Sequence, residues 1–496
     1  MKYILFLIFV IALIVRFAYF PQNVYFAYDQ ARDSFFALDI LKGDIRIIGP
    51  PSAASPILFP GPLSLYLYSF IYLVFGPNPE ILSAFFRVYN AFGVFLVFLI
   101  GSKLFDKRIG VLGSLLYAVS YEQSQYALFM SHQPLAVLPV LLFYLGLTLF
   151  LFEKKAKGII LTSLGLGLAI QFHFVYIFLI PVMLLILLII RKEIHNLRVK
   201  DIFISLGVFL LTTSTYIISE FKFGFRMISY FFSSSKVTTV RLKEALFALE
   251  RFMHDSLLAN YSYTLFLIAI LVIITVFFIV KTQYKRQILF LIFWFLGGVM
   301  PYLLSGTANY YYSAAATVSL FLFLAFLVSR KEHNLPLIGT ILYFGVIVNN
   351  LTLIMKQNIS GPNRDIVIQP GMLISQEKAA LDYIYLSADG KPFAVRSLSV
   401  PLDIATTWSY LFEWYGKQKY GYLPIWSEKP AEGFPGNLPY FSERSRLPDT
   451  QFAIIEPTVG IPERYILEFI NEENIFTEVE EEKSFGTITV QKRSRI

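Results

Sequence analysis

Apolar residues run along this chain in blocks separated by short polar stretches, at 3–20, 81–102, 109–121, 134–152, 158–172, 174–190, 202–219, 260–280, 288–304, 313–329 and 336–355. A helix crossing roughly 30 Å of hydrocarbon at about 1.5 Å per residue needs about 20 such residues, so each block predicts a transmembrane span. The spans number about eleven, and the blocks at 109–121 and 158–172 are short enough to change the count by about two. The first block follows Met1-Lys2 but ends in Arg16-Phe17-Ala18-Tyr19-Phe20-Pro21, without a small-residue cleavage site. It reads as a retained anchor with Tyr and Phe at the interface. The expected fold class is an all-α polytopic membrane domain over 1–355, followed by a small mixed α/β soluble domain over 356–496.

Charge orients the spans. Lys103/Lys107/Arg108, Lys154/Lys155/Lys157, Arg191/Lys192/Arg198/Lys200, Lys281/Lys285/Arg286 and Arg330/Lys331 occupy alternate loops, which the positive-inside bias makes cytoplasmic. The intervening short loops at 122–131, 171–173 and 305–312 hold no Lys or Arg. The N-terminus is therefore expected inside, with the loops 21–80 and 220–259 and the tail outside. In the tail, β-rich runs at 393–400, 452–456 and 487–491 alternate with expected helices at 377–386, 403–417 and 463–469. The tail carries no recognisable catalytic motif. Its aromatic run Trp408–Tyr415 suits either sugar rings or packing onto the membrane domain, and packing is the expectation.

Composition agrees with a lipid solvent: 496 residues, 56% hydrophobic and 15% charged, with 50 Phe and 31 Tyr. The net charge of +8 sits in short loops instead of one stripe, which argues against a nucleic-acid partner. With no Cys, disulfides and thiol chemistry are excluded.

Candidate chemistry concentrates in the first outer loop. Residues 26–38 read as a short amphipathic helix whose i, i+3, i+4 spacing puts Asp29, Arg32 and Asp33 on one face. A structural account is available, with Asp29 capping the helix and Arg32 pairing nearby acids. Further along, Pro60-Gly61-Pro62 precedes a second amphiphilic run, 63–75, too short to span. Two interfacial helices and a rigid connection make an outer platform suited to a substrate that is half lipid and half polar.

One helix, a long outer loop with Asp-x-x-Arg and two juxtamembrane helices, many spans and an exported tail together resemble the GT-C superfamily of lipid-linked-sugar glycosyltransferases. The nearest likeness is to glycosyltransferase family 39, the protein O-mannosyltransferases and aminoarabinose transferases. It covers roughly 1–330 in layout, and its motif is specific only in the first loop. The resemblance implies a polyprenyl-phosphate sugar donor and a lipid, glycan or protein acceptor; a single displacement at the anomeric carbon predicts inversion, and the size and short tail suggest a prokaryotic cytoplasmic membrane. It puts the first-loop acid at the reaction centre and a basic residue on the donor phosphate, roles that fall on Asp29 and Arg32, with Asp33 as a supporting catalytic acid.

Tyr310, in Gly306-Thr307-Ala308-Asn309-Tyr310-Tyr311-Tyr312, is the family's match for a lipid-phosphate contact; an interfacial aromatic belt is the alternative for Tyr311 and Tyr312. Where the family often has a second acid before Pro134, this chain has Gln133, and Glu122 is the substitute. The stretch 59–62 also lacks the basic residue the family carries near the end of the first loop. His132 and His173 stand at outer helix ends, where either packing or substrate orientation suits them. No cofactor is expected. A divalent ion between Asp29 and Asp33 is chemically feasible, but two acids on one turn are a thin ligand set, so no metal is expected. The rival class, a lipid or polysaccharide transporter or flippase, predicts ionisable groups in mid-span and an internal repeat; here the spans are almost free of acids, no repeat is found, and the charges gather at an outer interface.

Overall fold

Polar caps set where the apolar blocks start in the computed structural model, which describes every residue except 52–56, 190–197, 234–240, 260–282, 305–308, 330–334, 364–365, 437 and 442. The helices run α1 Lys2–Arg16, α2 Tyr28–Leu41, α3 Leu63–Phe75, α4 Pro79–Ala91, α5 Gly93–Leu104, α6 Lys107–Ala118 and α7 Tyr121–Leu128. They continue with α8 Val137–Leu151, α9 Gly158–Phe172, α10 Leu179–Ile189, α11 Val199–Thr212, α12 Ser214–Phe223, α13 Arg226–Ser233 and α14 Leu242–Ser256. Three more complete the helical part: Lys285–Leu304, Thr317–Ser329 and Leu335–Gln357. Asn78 caps α4, with Pro79 in the first helical position, and Asp106 and Ser120 cap α6 and α7.

Among the described residues, four helices are long and apolar enough to cross a membrane: Pro79–Leu104, Gln133–Leu151, Lys285–Leu303 and Gly339–Ser360. The pair α11 and α12, bent by 59°, makes a fifth if it is one span. The expected spans at 158–172, 174–190 and 313–329 are apolar helices of less than crossing length. The expected span at 260–280 lies outside the described residues, as do Gly306, Thr307, Ala308 and the basic residues Arg191, Lys192, Lys281, Arg330 and Lys331. Short helices gain shelter from close neighbours: a Cβ at Gly146 of α8 would stand 2.4 Å from the Thr162 nitrogen of α9.

Two buried arginines finish helix ends. Arg87 donates to the Arg16 carbonyl at the C-terminus of α1 (2.6 Å). Arg16 in turn donates to the carbonyls of Tyr117 (2.8 Å) and Ala118, closing α6. Each cation sits where terminal carbonyls lack helical partners and the helix dipole is negative.

The tail folds around a five-stranded sheet of β1 Ala394–Leu398, β2 Ile425–Trp426, β3 Thr450–Ile455, β4 Thr477–Phe485 and β5 Ile488–Arg495, in the order β2-β1-β3-β5-β4. β1 pairs parallel with β2 and β3, and β5 pairs antiparallel with β3 and β4. The three β-rich runs of the sequence are β1, β3 and β5. Both edge strands were silent: β2 is two residues long, and residues 478–484 of β4 are exposed and charge-rich, which blunts a free edge and erases apolar alternation. The helices Ile374–Ala388 and Glu463–Phe476 extend the expected ones, while the expected 403–417 begins as Thr406–Leu411 and continues through a wider turn, Phe412–Gly416.

Backbone pairing docks tail to first loop. Tyr25 bridges Leu373 antiparallel, Phe26 N–H reaches the Met372 carbonyl (3.0 Å), and Ile374 N–H reaches that of Val24 (2.9 Å). The aromatic run packs as expected: Tyr410 lies against Phe26 and Phe35, at 5.2 and 5.4 Å between ring centres.

Candidate active site

The N-terminus of α2 is built by Gln30, not Asp29. Gln30 Oε1 accepts the Ala27 N–H (3.2 Å), and Nε2 donates to the Met130 carbonyl (2.8 Å), tying α2 to the segment after α7. One turn on, Arg32 Nη1 meets Asp29 Oδ1 at 2.7 Å, while Nη2 and Nε meet Asp33 Oδ1 at 2.8 and 2.9 Å. The trio is graded in depth: the Asp29 side chain is 46% exposed, against 7% for Arg32 and 3% for Asp33. Burial pushes the Asp33 carboxyl up to about 6, with Arg32 pulling the other way. Burial alone would lower Arg32, but Asp33 and Asp29 outweigh it and hold the guanidinium above its ordinary value. The Tyr28 ring lies beneath the guanidinium, 5.4 Å away.

Asp29 and Arg32 open onto a cavity of about 520 Å³. Tyr25, Tyr28 and Gln30 complete the α2 side, and Phe129, His132, Gln133, His173, Asn309, Tyr311 and Tyr312 form the helical wall. The tail closes it with 366–369, Val400 and Pro401. Behind Gln369 and Val400, Glu456 accepts from Gln369 Nε2 (2.8 Å), Val400 N–H (2.9 Å) and Trp408 Nε1 (3.0 Å), and burial raises it to about 7.

Of the residues singled out in the sequence, Asp29, Arg32, His132, Gln133 and His173 line the cavity; Asp33, Glu122 and Tyr310 do not. Asp33 stands behind Arg32. Glu122 is buried, taking hydrogen bonds from Thr317 Oγ1 and Ser313 Oγ (3.4 Å). Tyr310 is buried too, its hydroxyl donating to Asp255 Oδ2 (2.8 Å) and its ring under Arg251 (4.6 Å). From that loop it is Tyr311 and Tyr312 that reach the cavity. His132 and His173 lie with rings parallel to within 1° and centres 5.7 Å apart. Burial lowers both, His132 also through His173 and Arg32, and takes His173 to about 3, so both imidazoles are neutral. Sequence reasoning did not single out Tyr25, Tyr28, Gln30, Phe129 or the tail residues. Among the described residues no three His, Cys, Asp or Glu side chains gather closely enough to hold a metal ion.

The structure superposes on that of ArnT from Cupriavidus metallidurans bound to undecaprenyl phosphate, with a TM-score of 0.62 and 10% identity over 98% of this chain and 97% of that one. This chain has the fold of ArnT. ArnT in the apo state gives a TM-score of 0.60 at 10% identity, over 98% of this chain and 97% of that one. The likeness in fold extends to the oligosaccharyltransferase of Archaeoglobus fulgidus tethered with an acceptor peptide, at TM-score 0.50 and 13% identity, over 82% of this chain and 62% of that one. The family model for dolichyl-phosphate-mannose-protein mannosyltransferase matches residues 59–218. That stretch starts beyond Asp29 and Arg32, so the pair stands on its geometry within the shared fold. No curated protein matches the sequence.

Proposed function

We propose that this chain transfers a sugar from a polyprenyl-phosphate-linked donor to an acceptor hydroxyl on the outer face of a cell membrane, with inversion at the anomeric carbon. One observation carries the reading: a half-exposed carboxylate, Asp29, and a buried guanidinium, Arg32, meet at 2.7 Å on the wall of a cavity of about 520 Å³. The fold shared with a protein solved with undecaprenyl phosphate supports the donor class.

The acceptor oxygen bonds to the anomeric carbon as the bond from that carbon to the phosphate oxygen breaks. Its electron pair leaves with the polyprenyl phosphate, and the acceptor proton passes to the Asp29 carboxylate. The departing phosphate gains one negative charge, which Arg32 stabilises through its N–H donors. An arriving phosphate competes for Arg32 with exposed Asp29, not with buried Asp33. Donor binding thus releases Asp29 to act as the base, while Asp33 keeps the guanidinium aimed. His132 and Gln133 contact substrate; Glu122 and Tyr310 support the wall from behind. The scheme needs no cofactor.

The test is Asp29→Asn in purified protein given a radiolabelled polyprenyl-phosphate sugar and candidate lipid, glycan and protein acceptors. Transfer should slow by about 10²–10⁴-fold. Full transfer by the variant ends the assignment, and label that crosses the bilayer still on its lipid points to a transporter.

A further inference from the structure

Resting on that reading, we propose that His173 binds the lipid phosphate as a neutral donor, its imidazole proton fixed on Nε2 and offered to a phosphate oxygen. The tautomer follows from the fold. His173 stands in extended backbone (φ −160°, ψ 129°) between α9 and the turn Phe174–Phe178, and its Nδ1 accepts the Val175 N–H at 3.1 Å. A nitrogen that accepts carries no proton, so the neutral ring must carry it on Nε2. The ring is wedged by neighbours: Phe174 stacks on it at 4.7 Å, His132 lies parallel at 5.7 Å, and Tyr312 leans on it at 5.3 Å. His173 lines the same cavity as Asp29 and Arg32, and with Nδ1 turned to its own backbone, Nε2 is the nitrogen left for a ligand.

Charge bookkeeping gives the donor its purpose. Among the described residues lining the cavity, Arg32 is the sole permanent cation, and it already faces two carboxylates. A phosphate held only there would meet one cation and two anions at close range. A neutral N–H whose position is set before binding adds attraction without a new charge, and it strengthens as the departing phosphate gains its second negative charge. The ring donates throughout and transfers no proton. A histidine serving only to cap the turn needs Nδ1 and has no use for Nε2, so the two roles use different atoms and can be separated.

Purified full-length wild type, His173→Asn and His173→Gln are titrated with sugar-free polyprenyl phosphate, followed by melting temperature, and assayed for the KM and kcat of transfer. Asn caps the turn with its amide oxygen but cannot reach the Nε2 position; Gln carries its amide N–H to that position and caps poorly. The expected result is that His173→Asn melts like wild type yet binds the lipid phosphate about 10-fold more weakly, with a raised donor KM, and that His173→Gln recovers most of that affinity. The proposal is overturned if His173→Asn binds as wild type does, or if affinity tracks melting temperature in both variants, which is the signature of capping alone. It is equally overturned if lipid phosphate binding is untouched while donor KM rises, since Nε2 would then serve the sugar. A wild type that neither binds the lipid nor transfers the sugar defeats the underlying transferase reading instead.

Discussion

Asp33 holds Arg32 through a single carboxylate oxygen, Oδ1, which accepts from Nε at 2.9 Å and from Nη2 at 2.8 Å. The opposite edge of the guanidinium reaches Asp29 at 2.7 Å. One cation between two anions leaves the trio negative by one charge when both acids are ionised. Burial separates their duties: the deep acid orients the guanidinium, and the shallow one is free to exchange partners.

Replacing Asp33 with Asn keeps an acceptor oxygen for Nε and Nη2 and removes one negative charge. Affinity for polyprenyl phosphate at pH 7.5 should rise by about 3- to 10-fold in an equilibrium binding assay. Since burial lifts Asp33 to about 6, wild type should make the same gain as pH falls through that value, whereas Asp33→Asn should follow only the titration of the lipid phosphate itself. Asp33→Ala, without the acceptor oxygen, should bind more weakly than either. Identical pH profiles for wild type and the Asn variant would defeat the charge argument.

The trio was readable because helical spacing is local: Asp29, Arg32 and Asp33 share a face wherever the helix goes. Their depths were not readable, since these depend on what covers α2, including Tyr72 at Ser34 (2.7 Å) and Tyr410 at Phe35. The choice of Tyr310 over its neighbours failed to anticipate the tight turn Tyr310–Ser313. In a three-residue repeat, positions 310 and 313 share a face: the Tyr310 ring lies 5.5 Å from that of Tyr126 and the Ser313 hydroxyl meets the Tyr126 hydroxyl at 2.8 Å, sending Tyr311 and Tyr312 to the cavity. The tail residues at the cavity leave no mark in the sequence, because they arrive through the distant pairing of Tyr25 with Leu373.

Gly61 couples the first loop to the end of α9. A Cβ there would stand 2.1 Å from Gln171 Oε1 and 2.7 Å from the Gln171 carbonyl oxygen. The side chain can swing aside; the carbonyl cannot without dragging His173, two residues on. Gly61→Ala should lower both the melting temperature and the affinity for polyprenyl phosphate. Gly207→Ala, where nothing lies within 4 Å, is the control and should do neither. A Gly61→Ala protein that binds like wild type would show that the loop and α9 move independently.

Glu456 makes the docked tail sensitive to pH. Burial raises it from 4.5 to about 7, and burial, then Glu456 itself, raises Glu377 in the same direction. An acid whose pKa is higher folded than unfolded favours the protonated fold. That stabilisation is complete below about 4.5 and is lost as pH climbs through about 7. The melting temperature of the detergent-solubilised protein should therefore decline between pH 5.5 and pH 8, and Glu456→Gln should flatten the decline, leaving the part owed to Glu377. Equal slopes for the two proteins would remove Glu456 from the account.

Arg87 should be costly to replace, because three buried acceptors depend on it. Its Nη1 serves the Arg16 carbonyl at 2.6 Å, Nη2 the Asn23 Oδ1 at 2.9 Å, and Nε the Ser83 hydroxyl at 3.2 Å. Arg87→Met fills the volume but strands the end of α1 and one face of Asn23, at a cost of about 2–4 kcal/mol. Arg87→Lys, with a single ammonium in place of a planar fork, should fall between the two. The damage should spread along one chain of contacts, since Asn23 also donates to the Asn358 carbonyl (2.7 Å), where the helix Leu335–Gln357 hands over to the tail. Thermal unfolding in detergent should read the loss of stability, and limited proteolysis should find new cleavage near 358. A Met variant that unfolds like wild type and resists the protease would mean that the guanidinium is not what closes α1.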